Sequence, residues 1–230
     1  MIYITGDTHG SFKRIVDFCN ENNTSKDDIL IILGDAGINY YMDWRDDELK
    51  NKLSELPVTL FCIHGNHEQR PSELTKYSLV SFKGGQAYHD STHPNIYFAK
   101  DGEVFNFYGK RCLVVGGAYS VDKQYRTLRG LNWWSNEQPS EETKQYVEQV
   151  CSEHNWDFDA ILTHTCPLKY EPVETFLPMI DQSTVDKSTE EWLDKIEDEV
   201  DYDKWYCGHY HTDKSIDNTR FLYKDIIELE

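Results

Sequence analysis

The stretch VTLFCIHGNHE, at residues 58–68, joins an apolar run to a polar turn. The run at 58–63 is typical of a buried strand, and Gly65 gives the backbone the freedom to leave that strand sharply. Asn66 and His67 then place an amide oxygen and an imidazole side by side at the strand end. A single stretch of this kind is most often a solvated turn, so its meaning depends on the residues at the ends of the other predicted strands.

Four more apolar segments end in the same kinds of side chain. The predicted strands at 2–5, 28–33, 159–163 and 204–207 are followed in turn by Asp7 and His9, by Asp35, by His164, and by His209 and His211. Predicted helices separate the first three strands along the chain, and this β-α-β-α-β order favours parallel neighbours. Because the carboxyl ends of parallel strands lie at one edge of a sheet, we expect these side chains to converge there.

The converging side chains are carboxylates, imidazoles and one amide, with no thiolate. Oxygen and imidazole ligands suit Mn, Fe, Zn or Mg, and they disfavour Cu(I) and iron–sulfur clusters. The set is too large for one ion that keeps an open position. The simplest arrangement that uses all of these ligands is two ions about 3.5–4 Å apart that share a bridging aspartate. The candidates for this site are Asp7, His9, Asp35, Asn66, His67, His164, His209 and His211.

The rest of the chain predicts further helices and a second group of strands. Helices are predicted from Ser11 as the N-cap, at 43–55, from Ser140 to about residue 154, and from a capping box at 188–191. Short strands are predicted at 95–98, 103–107 and 111–115, and a hairpin is predicted at about 213–225. Residues 119–138 and 165–187 lack a clear period and are predicted to be loops.

Length and composition predict one domain over residues 1–230, and the scattered cysteines predict a cytoplasmic location. Hydrophobic residues make up 39% of the chain, which is enough for a core. No apolar run reaches the roughly 20 residues that cross a bilayer, and the N-terminus does not have the pattern of a signal peptide. Six scattered cysteines predict buried, reduced thiols. The net charge of −18 disfavours anionic membranes and non-specific nucleic-acid binding.

The polar motifs form a family pattern when they are taken in order. D-x-H stands at Asp7 and His9, G-D at 34–35, G-N-H-[D/E] at 65–68, a lone H at His164, and G-H-x-H at 208–211. With this pattern, which spans residues 6–211, the chain resembles the calcineurin-like metallophosphoesterase superfamily. The resemblance implies an α/β fold of four layers (αββα), in which two mixed β-sheets are flanked by helices. It also implies that the hairpin at 103–115 belongs to the second sheet.

The resemblance also implies a binuclear site. One ion would be held by Asp7, His9, Asp35 and His211, and the other by Asp35, Asn66, His164 and His209, with Asp35 bridging. Manganese is expected ahead of iron, zinc or magnesium. By the implied mechanism, a hydroxide that bridges the two ions attacks phosphorus, and His67 acts as the general acid on the leaving alkoxide.

The implied activity is hydrolysis of phosphate esters, and we expect a phosphomonoesterase or phosphatase. Its substrate would be a phosphorylated small molecule, a nucleotide or a phosphoprotein. The alternatives are a nucleotide phosphodiesterase, a dinucleoside-polyphosphate hydrolase, and a non-enzymatic binding scaffold that keeps the fold. Family phosphatases of the Ser/Thr class carry an arginine shortly after the G-D motif, and residues 34–40 (GDAGINY) contain none. A nuclease is disfavoured because the chain lacks basic runs.

A few residues outside the motifs are weaker candidates. Arg70, Arg126 and Arg129 are candidates to clamp a substrate phosphate, and surface salt bridges are the equal alternative. His64 is expected either to contact the metal ligands or to be packed in the interior, rather than to bind metal itself. Four aromatic residues are expected to anchor the loop that contains them rather than to stack on a substrate, and these are Tyr119, Tyr125, Trp133 and Trp134.

Overall fold

The computed structural model describes residues 1–230 as two mixed β-sheets packed face to face. The first sheet contains β1 (Ile2–Thr5), β2 (Ile29–Ile32), β3 (Thr59–Cys62), β4 (Ser78–Phe82), β5 (Gly85–His89), β6 (Ile96–Ala99) and β13 (Ile226–Glu228), in the spatial order β13-β1-β2-β3-β6-β5-β4. The second contains β7 (Val104–Phe107), β8 (Lys110–Val115), β9 (Asp157–Thr163), β10 (Asp201–Cys207), β11 (Lys214–Ile216) and β12 (Thr219–Phe221), in the order β11-β12-β10-β9-β8-β7.

Five α-helices accompany the sheets: α1 (Lys13–Asn22), α2 (Trp44–Ser54), α3 (Lys123–Arg129), α4 (Glu141–Glu153) and α5 (Ser188–Glu199). Single 3₁₀ turns occur at Pro71–Glu73, Leu168–Tyr170, Val173–Thr175 and Gln182–Thr184. None of these helices combines the length and the apolar character that a membrane crossing needs.

The central strands are apolar throughout because both of their faces are covered. Along β2, Ile29 and Ile31 point into the core between the sheets, whereas Leu30 and Ile32 pack towards α1 and α2. This division follows from the two-residue period of a strand. A third cluster joins the outer face of the second sheet to α4 and α5. The layers are therefore helix, sheet, sheet, helix, and the fold prediction is confirmed.

The parallel core of each sheet directs its strand ends to one edge. β1, β2, β3 and β6 run parallel in the first sheet, and β8, β9, β10 and β12 run parallel in the second. The hairpin of β7 and β8 lies in the second sheet, as predicted. The strands that carry the polar motifs thus deliver them to a common region.

The structure corrects two of the predicted helix caps. α1 begins at Lys13 without a side-chain cap, because Ser11 lies in a turn and donates its backbone N–H to Thr8 O. The predicted capping box is also wrong, since Ser188 is already the first residue of α5 and Asp186 accepts its N–H at 3.0 Å. The cap by Ser140 is confirmed by its bond from the Thr143 N–H.

Four elements were absent from the sequence prediction. The supposed loop at 119–138 contains α3, the hairpin of β4 and β5 precedes β6, and β13 pairs antiparallel with β1. The predicted loop at 165–187 contains only single turns, and the predicted closing hairpin is β11–β12. All six cysteines are buried, as predicted, and none is paired with another.

Candidate metal centre

The strand-end candidates meet at the edge shared by both sheets. The segments after β1, β2 and β3 bring two carboxylates, one amide and the imidazoles of His9 and His67 from the first sheet, and those after β9 and β10 bring three imidazoles from the second. Asp7, Asp35, Asn66 and His164 are all at most 2% exposed. The sequence prediction that these side chains converge is therefore supported by their positions in the fold.

Three motif glycines make this convergence sterically possible. A Cβ on Gly65 would lie 2.0 Å from Asp35 Oδ1, and one on Gly34 would lie 2.1 Å from His164 Nδ1. A Cβ on Gly208 would lie 2.4 Å from Asp7 Oδ1. Each glycine thus leaves room for a candidate ligand that follows another strand, and for Gly34 and Gly208 that strand lies in the other sheet. The sequence indicated only that these glycines turn the backbone.

Replacing Gly65 with alanine is expected to destabilise the metal-free protein by about 3 kcal/mol, the upper range for overpacking, because Asp35 must move away. The matched control is Gly109→Ala, whose Cβ would meet nothing within 4 Å although its φ is +93°. We expect that control to lose only about 1 kcal/mol, from backbone strain alone. Urea denaturation checks both values, and equal losses would contradict the steric explanation.

Several candidate ligands also adopt strained backbone conformations. Asp35, His9, His209 and His211 have φ values of 47°, 46°, 63° and 50°. Positive φ is uncommon outside glycine and is retained at sites where the surroundings enforce it. The fold therefore holds these residues in a less favourable backbone conformation, which sets the direction of their side chains.

One cluster contains Asp7, His9 and His211. Asp7 Oδ2 is buried and has no hydrogen-bond partner, with His211 Nε2 at 3.3 Å and His9 Nε2 at 3.7 Å. The two imidazole Nε2 atoms are 2.8 Å apart. Burial alone would raise the pKa of Asp7. The neighbouring imidazoles of His211, His164 and His9 nevertheless hold that pKa below its usual range. A buried carboxylate between ring nitrogens is suited to a cation.

The second cluster is built around Asn66. Its Nδ2 donates to Ser120 Oγ at 2.9 Å, so its Oδ1 faces His164 Nε2 at 2.8 Å and His209 Nδ1 at 3.1 Å. His164 Nδ1 lies 2.7 Å from the carbonyl of Leu33, which requires the ring proton on Nδ1. In the neutral ring Nε2 is then an acceptor that faces another acceptor. A cation between the two atoms would satisfy both lone pairs.

Asp35 lies between the two clusters. Its Oδ2 is 3.8 Å from His9 Nδ1, and its Oδ1 is 3.8 Å from His164 Nε2. Burial and the nearby charge of Asp7 raise the pKa of Asp35 well above its ordinary value. The carboxylates of Asp7 and Asp35 are both buried and have oxygen atoms within 4.8 Å of each other. Buried negative charges are costly without a positive partner, so this arrangement is suited to bound cations. The donor set therefore fits two divalent ions.

His67 faces the same centre without belonging to either cluster. Its backbone N–H donates to Asp35 Oδ1 at 2.8 Å, while its buried Nδ1 has no partner. Its ring centroid lies 5.8 Å from that of His9. Burial first, and then Arg126 and nearby histidines, lower the pKa of His67 to about 2. The ring is thus neutral in the protein by itself.

Glu68 has a structural role that the sequence left open. Its carboxylate accepts the backbone N–H groups of Gly65 and Gly37, each at 3.1 Å, and so ties two motif loops together. Burial and the proximity of Asp35 raise its pKa to about 7. Arg14 similarly donates to the carbonyls of Gly6 and Asp7. Neither contact has a local sequence signal, because the partners are distant or are backbone atoms.

The three arginine candidates lie in different surroundings. Arg70 pairs with Asp101 at 2.5 Å and lines a separate cavity of about 790 Å³. Arg126 pairs with Asp122 at 2.8 Å. Its positive charge also acts to lower the pKa values of Asp35 and His67. Arg129 lies at the end of α3 with its guanidinium 5.6 Å from the Tyr125 ring.

The remaining candidates lie in different surroundings, and Tyr125, at 56% exposure, is not packed as a loop anchor. Trp133 donates to Glu137 at 2.7 Å, as expected of an aromatic that holds a loop. His64 is 4% exposed and packs against Gly116, so it lies in the interior as predicted. Tyr119 differs, because it lines the cavity beside the metal centre.

The chain was compared with family models, curated proteins and solved structures. The model of the calcineurin-like phosphoesterase family matches residues 1–213. The solved structure of TT1561 from Thermus thermophilus has a TM-score of 0.52 at 12% identity, covering 96% of this chain and 87% of that one. A phosphopantetheinyl hydrolase from Mycobacterium tuberculosis has a TM-score of 0.47 at 15% identity, with coverages of 96% and 87%. No curated protein matches the sequence.

The solved structure of TT1561 shows a shared fold, and the family model covers nearly the whole chain, including every strand-end motif. The resemblance inferred from those motifs is therefore confirmed. This chain belongs to the calcineurin-like phosphoesterase family.

Proposed function

We propose that this chain hydrolyses phosphate monoesters at a centre of two divalent ions, within one domain formed by residues 1–230. One ion would be held by Asp7, His9, Asp35 and His211, and the other by Asp35, Asn66, His164 and His209. The observation that carries the proposal is the meeting of acceptors around Asn66 Oδ1, beside two buried carboxylates. Manganese is proposed as the native metal, since it accepts this mixture of oxygen and imidazole ligands.

When bound, the two ions supply positive charge for a phosphate and the Lewis acidity that activates water. Asp35 would connect the two proposed ion sites, because one of its oxygens faces His9 and the other faces His164. Gly65 and Glu68 position the loop that carries Asn66. These contacts are made within the protein itself, so the proposed ligands are already positioned in the absence of substrate.

His67 is proposed as the general acid. A phosphate dianion against the ring would raise its low pKa, because opposite charge favours the protonated imidazole. The protonated ring would then donate its proton to the leaving alkoxide. The ring lies outside both ligand clusters and its buried Nδ1 has no partner, which supports a role other than metal binding.

The test combines metal content with hydrolysis of 4-nitrophenyl phosphate. The protein would be stripped with a chelator and reloaded separately with Mn, Fe, Zn or Mg. We expect about two ions per chain by mass spectrometry, and hydrolysis that depends on the metal and is fastest with Mn. The chelated protein in the same buffer is the control. A chain that binds no metal would instead support a binding scaffold.

The location of the protein in the cell is proposed to be the cytoplasm. All six cysteines are buried and unbonded, as is usual where thiols are kept reduced. Labelling of thiols in unfolded protein taken directly from cells tests this, with full labelling expected. Stable disulfides in the isolated protein would contradict it.

A further inference from the structure

A cavity of about 430 Å³ opens directly beside the metal centre. Asn66, His67 and His209 line its inner end. Its outer part is formed by the segment between β9 and α5, together with residues that follow β8. A volume in this range accommodates a small organic group next to the ligands. The cavity is therefore placed to hold whatever the reacting phosphate is attached to.

One side of the cavity is an apolar wall, which consists of Phe176, Leu177, Ile180 and Val185. The Phe176 ring is stacked on the Tyr210 ring with centroids 6.2 Å apart, and this contact joins the wall to the loop of His209 and His211. Leu177 remains 54% exposed. A side chain of this size at the mouth of a site would gain free energy by covering an apolar group.

The charged residues around the cavity are all acidic. Asp122, Glu171 and Glu190 line it in addition to the ligand Asp35, and no lysine or arginine does. Two of these acids are paired with cations from outside the lining, Asp122 with Arg126 at 2.8 Å and Glu171 with Lys187 at 2.6 Å. A second phosphate or a carboxylate on the substrate would therefore find no free partner, and it would face oxygen atoms instead.

We infer that the organic group of the substrate is apolar and carries no second anionic group. This inference rests on the proposed phosphate-ester hydrolysis and names the substrate class for that same site. It disfavours nucleoside polyphosphates and dinucleoside polyphosphates, because their additional phosphates need cations that this cavity does not provide. It favours alkyl or aryl phosphates whose chain lies along the apolar wall.

Binding of phosphonates by the Mn-loaded protein tests the inference, since their P–C bond resists hydrolysis. Calorimetry would compare ethylphosphonate, hexylphosphonate and 6-phosphonohexanoate. We expect hexylphosphonate to bind about 10–100-fold more tightly than ethylphosphonate, from partial burial of four extra methylenes. The carboxylate of 6-phosphonohexanoate is expected to remove most of that gain. The matching alkyl phosphates should show the same order in kcat/KM.

A charge substitution in the wall makes the test specific. Leu177→Lys places a cation at the cavity, so it should raise the affinity for 6-phosphonohexanoate relative to hexylphosphonate by about tenfold. Met179→Lys is the matched control, because Met179 is 86% exposed in the same segment and lies outside the cavity. The control adds the same charge and is expected to leave the ratio unchanged.

The outcomes separate this inference from the proposed function. If the protein hydrolyses 4-nitrophenyl phosphate but binds the three phosphonates equally, the inference is overturned and the proposed function stands. Equal effects of Leu177→Lys and Met179→Lys overturn it as well. If no phosphate ester is hydrolysed with any metal, the proposed function fails and the inference fails with it. The predicted order of affinities together with a shift confined to Leu177→Lys supports it.

Discussion

Asp35→Asn is expected to abolish metal binding and activity together. The carboxylate lies 3.8 Å from a ring nitrogen of each ligand cluster, so the neutral amide weakens both proposed ion sites. Metal ions supply several kcal/mol of transition-state stabilisation, so we expect kcat/KM to fall by at least about 10³-fold. Metal content by mass spectrometry and hydrolysis of 4-nitrophenyl phosphate measure the two effects on one preparation.

The same substitution is expected to leave the metal-free fold intact. Burial and the nearby Asp7 raise the pKa of Asp35, which means that its charge opposes folding when no cation is bound. The amide removes that charge at nearly constant volume, so urea denaturation should show equal or greater stability for the metal-free variant. Loss of activity would then reflect lost metal rather than unfolding.

Asp46→Asn is the matched control. Asp46 is also buried at 2% exposure, but it accepts the backbone N–H groups of Tyr41 and Met42, away from the metal centre. We expect it to cost stability and to leave metal content unchanged. An Asp35→Asn protein with two bound ions and wild-type turnover would contradict the bridging role.

His67→Ala is expected to separate metal binding from turnover. The imidazole lies beside the centre but contributes to neither ligand cluster, so both ions should remain. General acid catalysis contributes about 10²–10⁴-fold, and we expect kcat to fall by that range with little change in KM. The fall should be largest for an alkyl phosphate, whose alkoxide needs a proton, and smaller for 4-nitrophenyl phosphate.

The dependence on the leaving group distinguishes proton donation from other roles. An equal loss for both esters would indicate that His67 stabilises the phosphate without protonating the alkoxide. Loss of metal together with activity would contradict its place outside the ligand sets. His93→Ala is the control, because His93 is a buried imidazole that bonds Asn51 and Asp90, remote from the strand-end motifs. It should retain full turnover per folded chain.

Local patterns were sufficient to predict the elements that carry the site. β2 and β3 are apolar along their length because both faces are covered, so their sequence shows buried strands directly. The glycine at each strand end and the polar residues after it are likewise local features. For this reason the candidate ligands were predicted by residue number.

Local patterns failed where the periodic signal was weak or the partner was distant. α3 has no buried residue, so its sequence has no apolar period to recognise. β4 lies at a sheet edge and exposes Ser78, Leu79 and Ser81, so it lacks a clear alternation. β13 pairs with β1 across almost the whole length of the chain, which no local pattern predicts.

By itself, the sequence determined the order of buried strands, the residues that end them and the family to which the chain belongs. Only the tertiary structure decided which of those residues oppose one another, because the clusters join atoms from two sheets. It also decided that Glu68 links two loops and that the segment before α5 lines an apolar cavity without a cation. Distances and charges between remote segments arise from packing, and packing is not encoded in any single stretch.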